Sequence, residues 1–144
     1  IFRYANVYGP RLFAKGEAGV VAIFTERMLD GKEPVIFGSG NNTRDYVFID
    51  DVVEANVLAL EKGDGGTFNI GTGIERNVHE VYRTVTNAFG DRAVKAVFGA
   101  PVPEVERIAL DFSKAKNELG WEPRVDFETG VNMTVQSYGV DIQS

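Results

Sequence analysis

Short β-prone runs are mixed with segments of helical apolar spacing along this chain, and this mixture limits its fold more than any other feature. The β-prone runs are "IFRYANVYG", the two runs on either side of "GSGNNT", then "TFNI" and "AVKAVF". Apolar residues recur at helical spacing in "VVAIFTERML", "DVVEANVLAL" and "VHEVYRTV". Such a mixture predicts an α/β fold with strands and helices around one core. A chain of 144 residues suits a single domain of this kind.

Cap and turn residues predict where several of these elements begin. Asn77 precedes a helix-prone segment and Glu80 follows three residues later, an arrangement related to the capping box. Asp50 and Asp126 are predicted to cap the helices that follow them, because a carboxylate accepts hydrogen bonds from the free amides of a first helical turn. "GSGNNT" separates two β-prone runs and predicts a hairpin connection between them.

The charge and composition of the chain exclude several classes of function. Fifteen Lys and Arg residues against 21 Asp and Glu leave a formal charge of -6, which disfavours nucleic-acid binding. The sequence has no cysteine and one histidine, so it has no disulfide framework and no thiolate metal site, and we expect no metal. Its apolar runs are shorter than the roughly 20 residues that span a bilayer. We therefore expect a soluble, cytoplasmic protein without a membrane or nucleic-acid partner.

Single polar residues leave the chemistry of the chain open. Arg44 stands beside Asp45 near the start of a β-prone run, where an arginine is more often a surface ion-pair partner than a ligand contact. Asn6 in a turn would ordinarily bond to its own backbone. His79 lies on a helical face without a serine or cysteine nucleophile motif beside it, so a structural role is favoured over a catalytic one.

Four stretches, taken in order, resemble one known family. They are "RYANVYGPR", "IFGSGNNTRDYVFIDDVVEANVLAL", "FNIGTG" and "LDFSKAKNELGWEP". Together they are similar to the carboxyl-terminal half of the extended short-chain dehydrogenase/reductases, and within them to the nucleotide-sugar epimerases and dehydratases. The resemblance implies a partial Rossmann-type α/β fold. Residues 1–144 would form a single partial domain, the substrate-binding portion with the last strands and helices of the cofactor-domain sheet. Because "IFRYA" is strand-like from its first residue, we expect the chain to continue a longer one.

The resemblance implies NAD as the cofactor, bound mainly by an amino-terminal half that this chain lacks, and a UDP-sugar or other nucleoside-diphosphate sugar as the ligand. In the epimerases a tyrosine removes the proton of the sugar 4-hydroxyl while NAD accepts hydride, and the hydride then returns to the other face. The 144 residues contain no Tyr-x-x-x-Lys pair and no glycine-rich NAD loop, since "GSGNN" and "GTGIERN" match neither a phosphate loop nor a dinucleotide fingerprint. We therefore expect the substrate-binding part of a UDP-glucose/UDP-galactose-type 4-epimerase, with no catalytic residue of its own and inactive alone. A 4,6-dehydratase of the same family and a noncatalytic nucleotide-sugar binding fragment are the alternatives.

The resemblance also assigns roles around the sugar and the base. Tyr4 and Ala5 would border the nicotinamide pocket of NAD. Asn6 would bond to the sugar nucleotide, because an amide donates and accepts hydrogen bonds without adding charge beside a diphosphate. The base pocket would be lined by apolar residues, namely Phe37 and the helix start at Val20 and Val21.

Arginines are the residues that the resemblance assigns to the diphosphate. Arg44 would clamp it, because a planar guanidinium donates two parallel hydrogen bonds to phosphate oxygens. The family usually supplies a second arginine before the "D-x-S-K-A" motif, and counting back from Asp111 places Pro101 at that position. Arg107 is the nearby cation and is the candidate to replace that arginine.

The strands "IFRYANVYG" and "TFNIGTG" would belong to the cofactor-domain sheet in this family. Without the rest of that sheet they would leave unpaired edges and apolar surface exposed. We therefore expect a homo-oligomer or self-association through these strands.

Overall fold

A computed structural model describes residues 1–12 and 19–142 of the chain, and these residues form seven short strands, five α-helices and one short 3-10 helix (Gly90–Arg92). The strands are β1 (Phe2–Tyr4), β2 (Asn6–Tyr8), β3 (Val35–Phe37), β4 (Thr43–Phe48), β5 (Phe68–Ile70), β6 (Glu75–Asn77) and β7 (Val97–Gly99). The helices are α1 (Val20–Leu29), α2 (Ile49–Leu58), α3 (Val78–Phe89), α4 (Ser113–Leu119) and α5 (Phe127–Ser137). Strands and helices are mixed along the chain, so the predicted α/β class is confirmed.

The strands pair with partners that are distant in sequence. β1 pairs with β5 and β3 pairs with β7, both in parallel. β4 pairs with β2 in parallel on one side and with β6 in antiparallel on the other. The hairpin predicted at "GSGNNT" is therefore wrong, because the two strands that flank it lie in different sheets. The local turn signal was correct, but long-range pairing decided which strands became neighbours.

The opening segment forms two strands rather than the single one that its pattern predicts. Ala5 separates them and donates its amide to the Ile70 carbonyl oxygen at 2.9 Å. β1 before it joins the sheet of β5, and β2 after it joins the sheet of β4. The chain therefore changes sheets at Ala5, so Tyr4 and Asn6 belong to different sheets.

Two of the three predicted helix caps are confirmed. The Asn77 side chain accepts from the Glu80 amide at 2.9 Å and the Glu80 carboxylate accepts from the Asn77 amide at 2.8 Å, which completes a capping box. The Asp126 side chain accepts from the Thr129 amide at 2.9 Å and caps α5. The predicted cap at Asp50 is wrong, because α2 begins at Ile49 and Asp50 already lies within its first turn.

β4 runs between two apolar clusters and supplies side chains to both. Tyr46 packs in the cluster that contains α1, α3 and α5, whereas Val47 packs with Trp121 in the cluster beside α2 and α4. Successive side chains of a strand point to opposite faces, so Arg44 lies on the same face as Tyr46 while Asp45 lies on the other. None of the helices in the described ranges is long and apolar enough to cross a membrane.

Candidate functional site

One cleft of about 290 Å³ collects residues from separate parts of the chain. Asn6 enters it from β2, Val20 from the start of α1, Phe37 from the end of β3 and Arg44 from β4. Glu104, from the segment after β7, lines it as well. Four of the residues named for ligand binding thus lie at one place, which we call the cleft.

Arg44 presents a guanidinium to the cleft, and its side chain is 15% exposed. Nη1 donates to the carbonyl oxygens of Thr43 at 2.8 Å and Val105 at 2.7 Å. Nη2 donates to Glu104 Oε2 at 2.6 Å, so the ion-pair partner of Arg44 is Glu104 and not Asp45. A guanidinium carries five N–H donors, which leaves the Nε–H and one Nη2–H without a partner among the described residues. N–H groups of a guanidinium form strong hydrogen bonds with phosphate oxygens.

Asn6 and Phe37 give the cleft a polar and an aromatic wall. Asn6 is exposed and stands opposite Tyr46 in the register of β2 and β4. Phe37 is 54% exposed although it is a large apolar side chain. An exposed aromatic ring offers a flat surface on which a planar heterocycle can stack. The cleft therefore combines a cation, an amide and an aromatic face.

Two residues that the resemblance assigned to the ligand do not line the cleft. Val20 lines it, but Val21 is buried among the side chains of α3 and α5, because neighbouring residues of a helix point about 100° apart. Arg107 is 75% exposed and directs Nε and Nη2 to the two carboxylate oxygens of Glu75, at 2.9 and 2.8 Å. The structure therefore places the Arg107 guanidinium on Glu75 instead of beside Arg44.

Tyr4 and Ala5 lie next to Asn6 in the chain but outside the cleft. The Tyr4 hydroxyl donates to Asn56 Oδ1 at 3.1 Å, and the ring is partly exposed at the end of β1. Ala5 is buried beside Gly71, whose lack of a Cβ allows the close approach. Both residues stand at the carboxyl end of a parallel strand pair, the edge of such sheets at which ligands bind in open α/β folds.

Comparison with known proteins identifies the family of the chain. Residues 1–71 match the sequence profile of the NAD dependent epimerase/dehydratase family. The UDP-glucose 4-epimerase of Mycolicibacterium smegmatis is 44% identical over 135 residues, which are 93% of this chain and 43% of that protein. The crystal structure of Thermotoga maritima UDP-glucose 4-epimerase with UDP-glucose matches with a TM-score of 0.91 at 51% identity, over 96% of this chain and 45% of that one. The chain belongs to the NAD dependent epimerase/dehydratase family.

A further epimerase/dehydratase structure is equally informative about the fold. Thermus thermophilus UDP-glucose 4-epimerase in complex with NAD matches with a TM-score of 0.87 at 40% identity, over 96% of this chain and 45% of that one. The chain therefore has the fold of part of a Rossmann-type epimerase. It spans less than half the length of these relatives.

Asp45 is a residue of this epimerase/dehydratase chain whose role sequence reasoning missed. It is fully buried. One carboxylate oxygen accepts from the Thr72 amide at 2.9 Å and its hydroxyl at 2.6 Å. The other accepts from the amides of Gly73 at 2.9 Å and Leu110 at 3.1 Å. A buried carboxylate needs several donors in this way, so Asp45 ties the strand that carries Arg44 to two distant loops. An aspartate in the middle of a β-prone run was the available signal, because that residue type is depleted in strands.

Tyr46 and Glu104 complete the cleft and were also missed. Tyr46 is 6% exposed and lines the cleft beside Arg44. Burial is the main cause that raises the pKa of Tyr46 to about 12. Tyr46 follows Arg44 by two residues, so strand alternation was a signal that placed both side chains on one face. Glu104 reaches Arg44 from 60 residues away along the chain, and no local pattern predicts such a contact.

His79 has a structural environment within this epimerase/dehydratase fold. Its Nε2 lies 2.7 Å from the Ser39 carbonyl oxygen, so this nitrogen donates to the loop between β3 and β4. Its ring packs near Phe98, with ring centroids 6.1 Å apart. In the ranges 1–12 and 19–142, no three side chains of the His, Cys, Asp and Glu types gather to form a metal site.

Proposed function

We propose that this chain is the nucleoside-diphosphate-sugar binding portion of an NAD-dependent sugar-nucleotide 4-epimerase of the UDP-glucose/UDP-galactose type. Residues 1–144 would be one partial domain of that enzyme. The observation that carries the proposal is the cleft, in which Arg44 keeps two N–H donors available beside Asn6 and the exposed ring of Phe37. The family membership of the chain and its similarity to UDP-glucose 4-epimerases support the same function.

Each wall of the cleft suits one part of such a ligand. The two unused N–H donors of Arg44 suit oxygens of a diphosphate, and the carbonyl and Glu104 contacts hold the guanidinium in place. Phe37 and Val20 offer the apolar surface that a nucleobase needs. Asn6 offers a donor and an acceptor, which suits the hydroxyl groups of a sugar.

NAD would supply the hydride acceptor for the epimerase reaction. Tyr4 and Ala5 are the residues of this chain that we propose to border it, since they stand at the carboxyl end of the β1–β5 pair. Tyr4 offers a partly exposed ring there, and Ala5 is small and buried beside it. The chain contains no Tyr-x-x-x-Lys pair, so proton transfer would depend on residues outside it and the 144 residues alone would be inactive.

Self-association is the partner interaction that we propose for the isolated chain. β1 and β5 form a sheet of only two strands, so each has an edge that is not paired within the described part of the chain. Ile1, which directly precedes β1, exposes most of its apolar side chain. Unpaired strand edges beside apolar surface favour pairing with another copy.

Arg44→Ala tests the proposed function in a titration with UDP. Loss of charge-assisted hydrogen bonds to the diphosphate is expected to weaken binding by roughly 1.5–3 kcal/mol, which is about 10- to 150-fold. Arg44→Lys should recover only part of this, because an ammonium keeps the charge but not the planar donor geometry. NMR chemical-shift titration measures these affinities even when they are weak.

Arg107→Ala is the matched control for this test. It removes an arginine that pairs with Glu75 outside the cleft lining, so the affinity for UDP should not change. Thermal melts of all three variants separate a lost ligand contact from a lost fold. UDP binding that is unaltered by Arg44→Ala would contradict the proposed function.

A further inference from the structure

Tyr46 is a buried tyrosine whose hydroxyl has no partner among the described residues. Its ring packs against Tyr8 and Phe127, with ring centroids 6.4 and 5.4 Å apart. The neighbouring Tyr8 differs in this respect, because its hydroxyl donates to the Phe127 carbonyl oxygen at 3.4 Å. Tyr46 therefore has a core position for its ring and an unused donor at its tip.

The tip of Tyr46 reaches open space. Within the described part of the chain, no side-chain nitrogen or oxygen that is shut off from solvent lacks a hydrogen-bond partner. The Tyr46 hydroxyl lacks one, so it belongs to the small exposed part of this residue. Tyr46 lines two spaces: the cleft, and a second cavity of about 230 Å³ that Thr72, Ile74 and Arg76 also line. Tyr46 therefore contributes to both spaces.

Tyr46 interacts with the charged residues of the cleft. Arg44 and Glu104 are the charged residues that act on it, and both line the cleft. Arg76 and Asp126, which line the second cavity, act on Tyr8 instead. Tyr46 also shares its strand face with Arg44, two residues away. A ligand atom held by Arg44 would therefore lie on the same side of β4 as the Tyr46 hydroxyl.

Packing alone does not account for a tyrosine here. A phenylalanine would fill nearly the same volume against the same two rings. The hydroxyl adds a polar group at the open end of a buried side chain, where it can bond to water as long as the cleft is empty. A ligand that enters the cleft and displaces this water would have to replace its hydrogen bond.

We propose that the Tyr46 hydroxyl donates a hydrogen bond to the phosphate that Arg44 binds, which makes Tyr46 a second diphosphate contact of this chain. The inference rests on the proposed function, because it requires a diphosphate in the cleft. Tyr46 would also provide a donor that the site otherwise lacks. Pro101 stands where the resemblance implied a second arginine, and Arg107 is held by Glu75. A tyrosine hydroxyl is protonated at neutral pH, and burial raises the pKa of Tyr46 further, so it donates to an anion without adding negative charge.

Tyr46→Phe tests this inference, with Tyr8→Phe as the matched control. Both substitutions remove one hydroxyl from the same aromatic cluster, but only Tyr46 lines the cleft. Titration of the chain with UDP should show roughly tenfold weaker binding for Tyr46→Phe, the loss expected for one hydrogen bond to a charged group. Tyr8→Phe should bind UDP like the wild type. The melting temperature of Tyr46→Phe should not fall, because no contact within the described chain is lost.

Several results would overturn the inference, and each is distinct. Equal affinity of Tyr46→Phe and the wild type for UDP would show that the Tyr46 hydroxyl does not bond to the phosphate. A lower melting temperature together with weaker binding would make the role of Tyr46 structural. If Tyr46→Phe binds UDP-glucose more weakly but binds UDP like the wild type, the hydroxyl contacts the sugar and not the phosphate. The proposed function itself fails if the wild type does not bind UDP, or if Arg44→Ala does not change the affinity for UDP. If Arg44→Ala weakens UDP binding and Tyr46→Phe does not, only the inference about Tyr46 is refuted.

Discussion

Asp45→Asn is expected to be severely destabilising although it changes only one atom of a side chain. The carboxylate is fully buried and accepts from three segments through Thr72, Gly73 and Leu110. An asparagine retains one acceptor oxygen, which can keep the two contacts with Thr72. Its amide group would then face the N–H groups of Gly73 and Leu110, which are donors as well. Two hydrogen bonds are lost and donors are placed against donors.

The expected magnitude follows from the two lost bonds. A hydrogen bond to a charged acceptor contributes roughly 1.5–3 kcal/mol, so two of them correspond to about 3–6 kcal/mol. Folded domains have free energies of unfolding of about 5–15 kcal/mol. Asp45→Asn is therefore expected to remove a large part of the stability of the chain.

Urea unfolding followed by tryptophan fluorescence measures this loss. Trp121 is the single tryptophan of the sequence and is buried, so its emission reports on the core. Asp126→Asn is the matched control, because it makes the same chemical change at the cap of α5, where Asp126 accepts from Thr129. Asparagine is also a good N-cap residue, so the control should lose only a few tenths of a kcal/mol, roughly. If Asp45→Asn lowers the free energy of unfolding by no more than Asp126→Asn does, the reasoning is refuted.

Two further predictions concern pH and assembly. Hydrogen bonds from Arg107 and then Thr43 lower the pKa of Glu75 from its ordinary value of 4.5 to about 2. Because the pKa of Glu75 is lower in the folded state, the stabilisation by Glu75 is present above about pH 4.5 and is lost as the pH falls towards 2. Glu75→Gln should therefore make the unfolding midpoint less dependent on pH in this range. A midpoint that falls as steeply with pH as that of the wild type would contradict this. The free edges of β1 and β5 predict a mass that rises with concentration in light scattering, and a monomer at every concentration would exclude self-association.

The sequence alone predicted the features that depend on neighbouring residues. The capping box of Asn77 and Glu80 and the cap at Asp126 depend on contacts within one helical turn, so local patterns were sufficient for them. The α/β class followed from the spacing of apolar residues. Asn6, Phe37 and Arg44 could be named together only because motifs in separate stretches resembled one family.

Tertiary structure decided the features that depend on distant partners. β3 pairs with β7 instead of forming a hairpin, because pairing over the whole chain determines which edges meet. Arg44 finds its counter-ion 60 residues away in Glu104, and Arg107 is held by Glu75 across 32 residues. The orientation of a helix about its axis placed Val20 in the cleft and buried Val21. A sequence pattern specifies which face of an element is apolar, but the charge or cavity that each side chain meets is set by elements that fold against it from elsewhere in the chain.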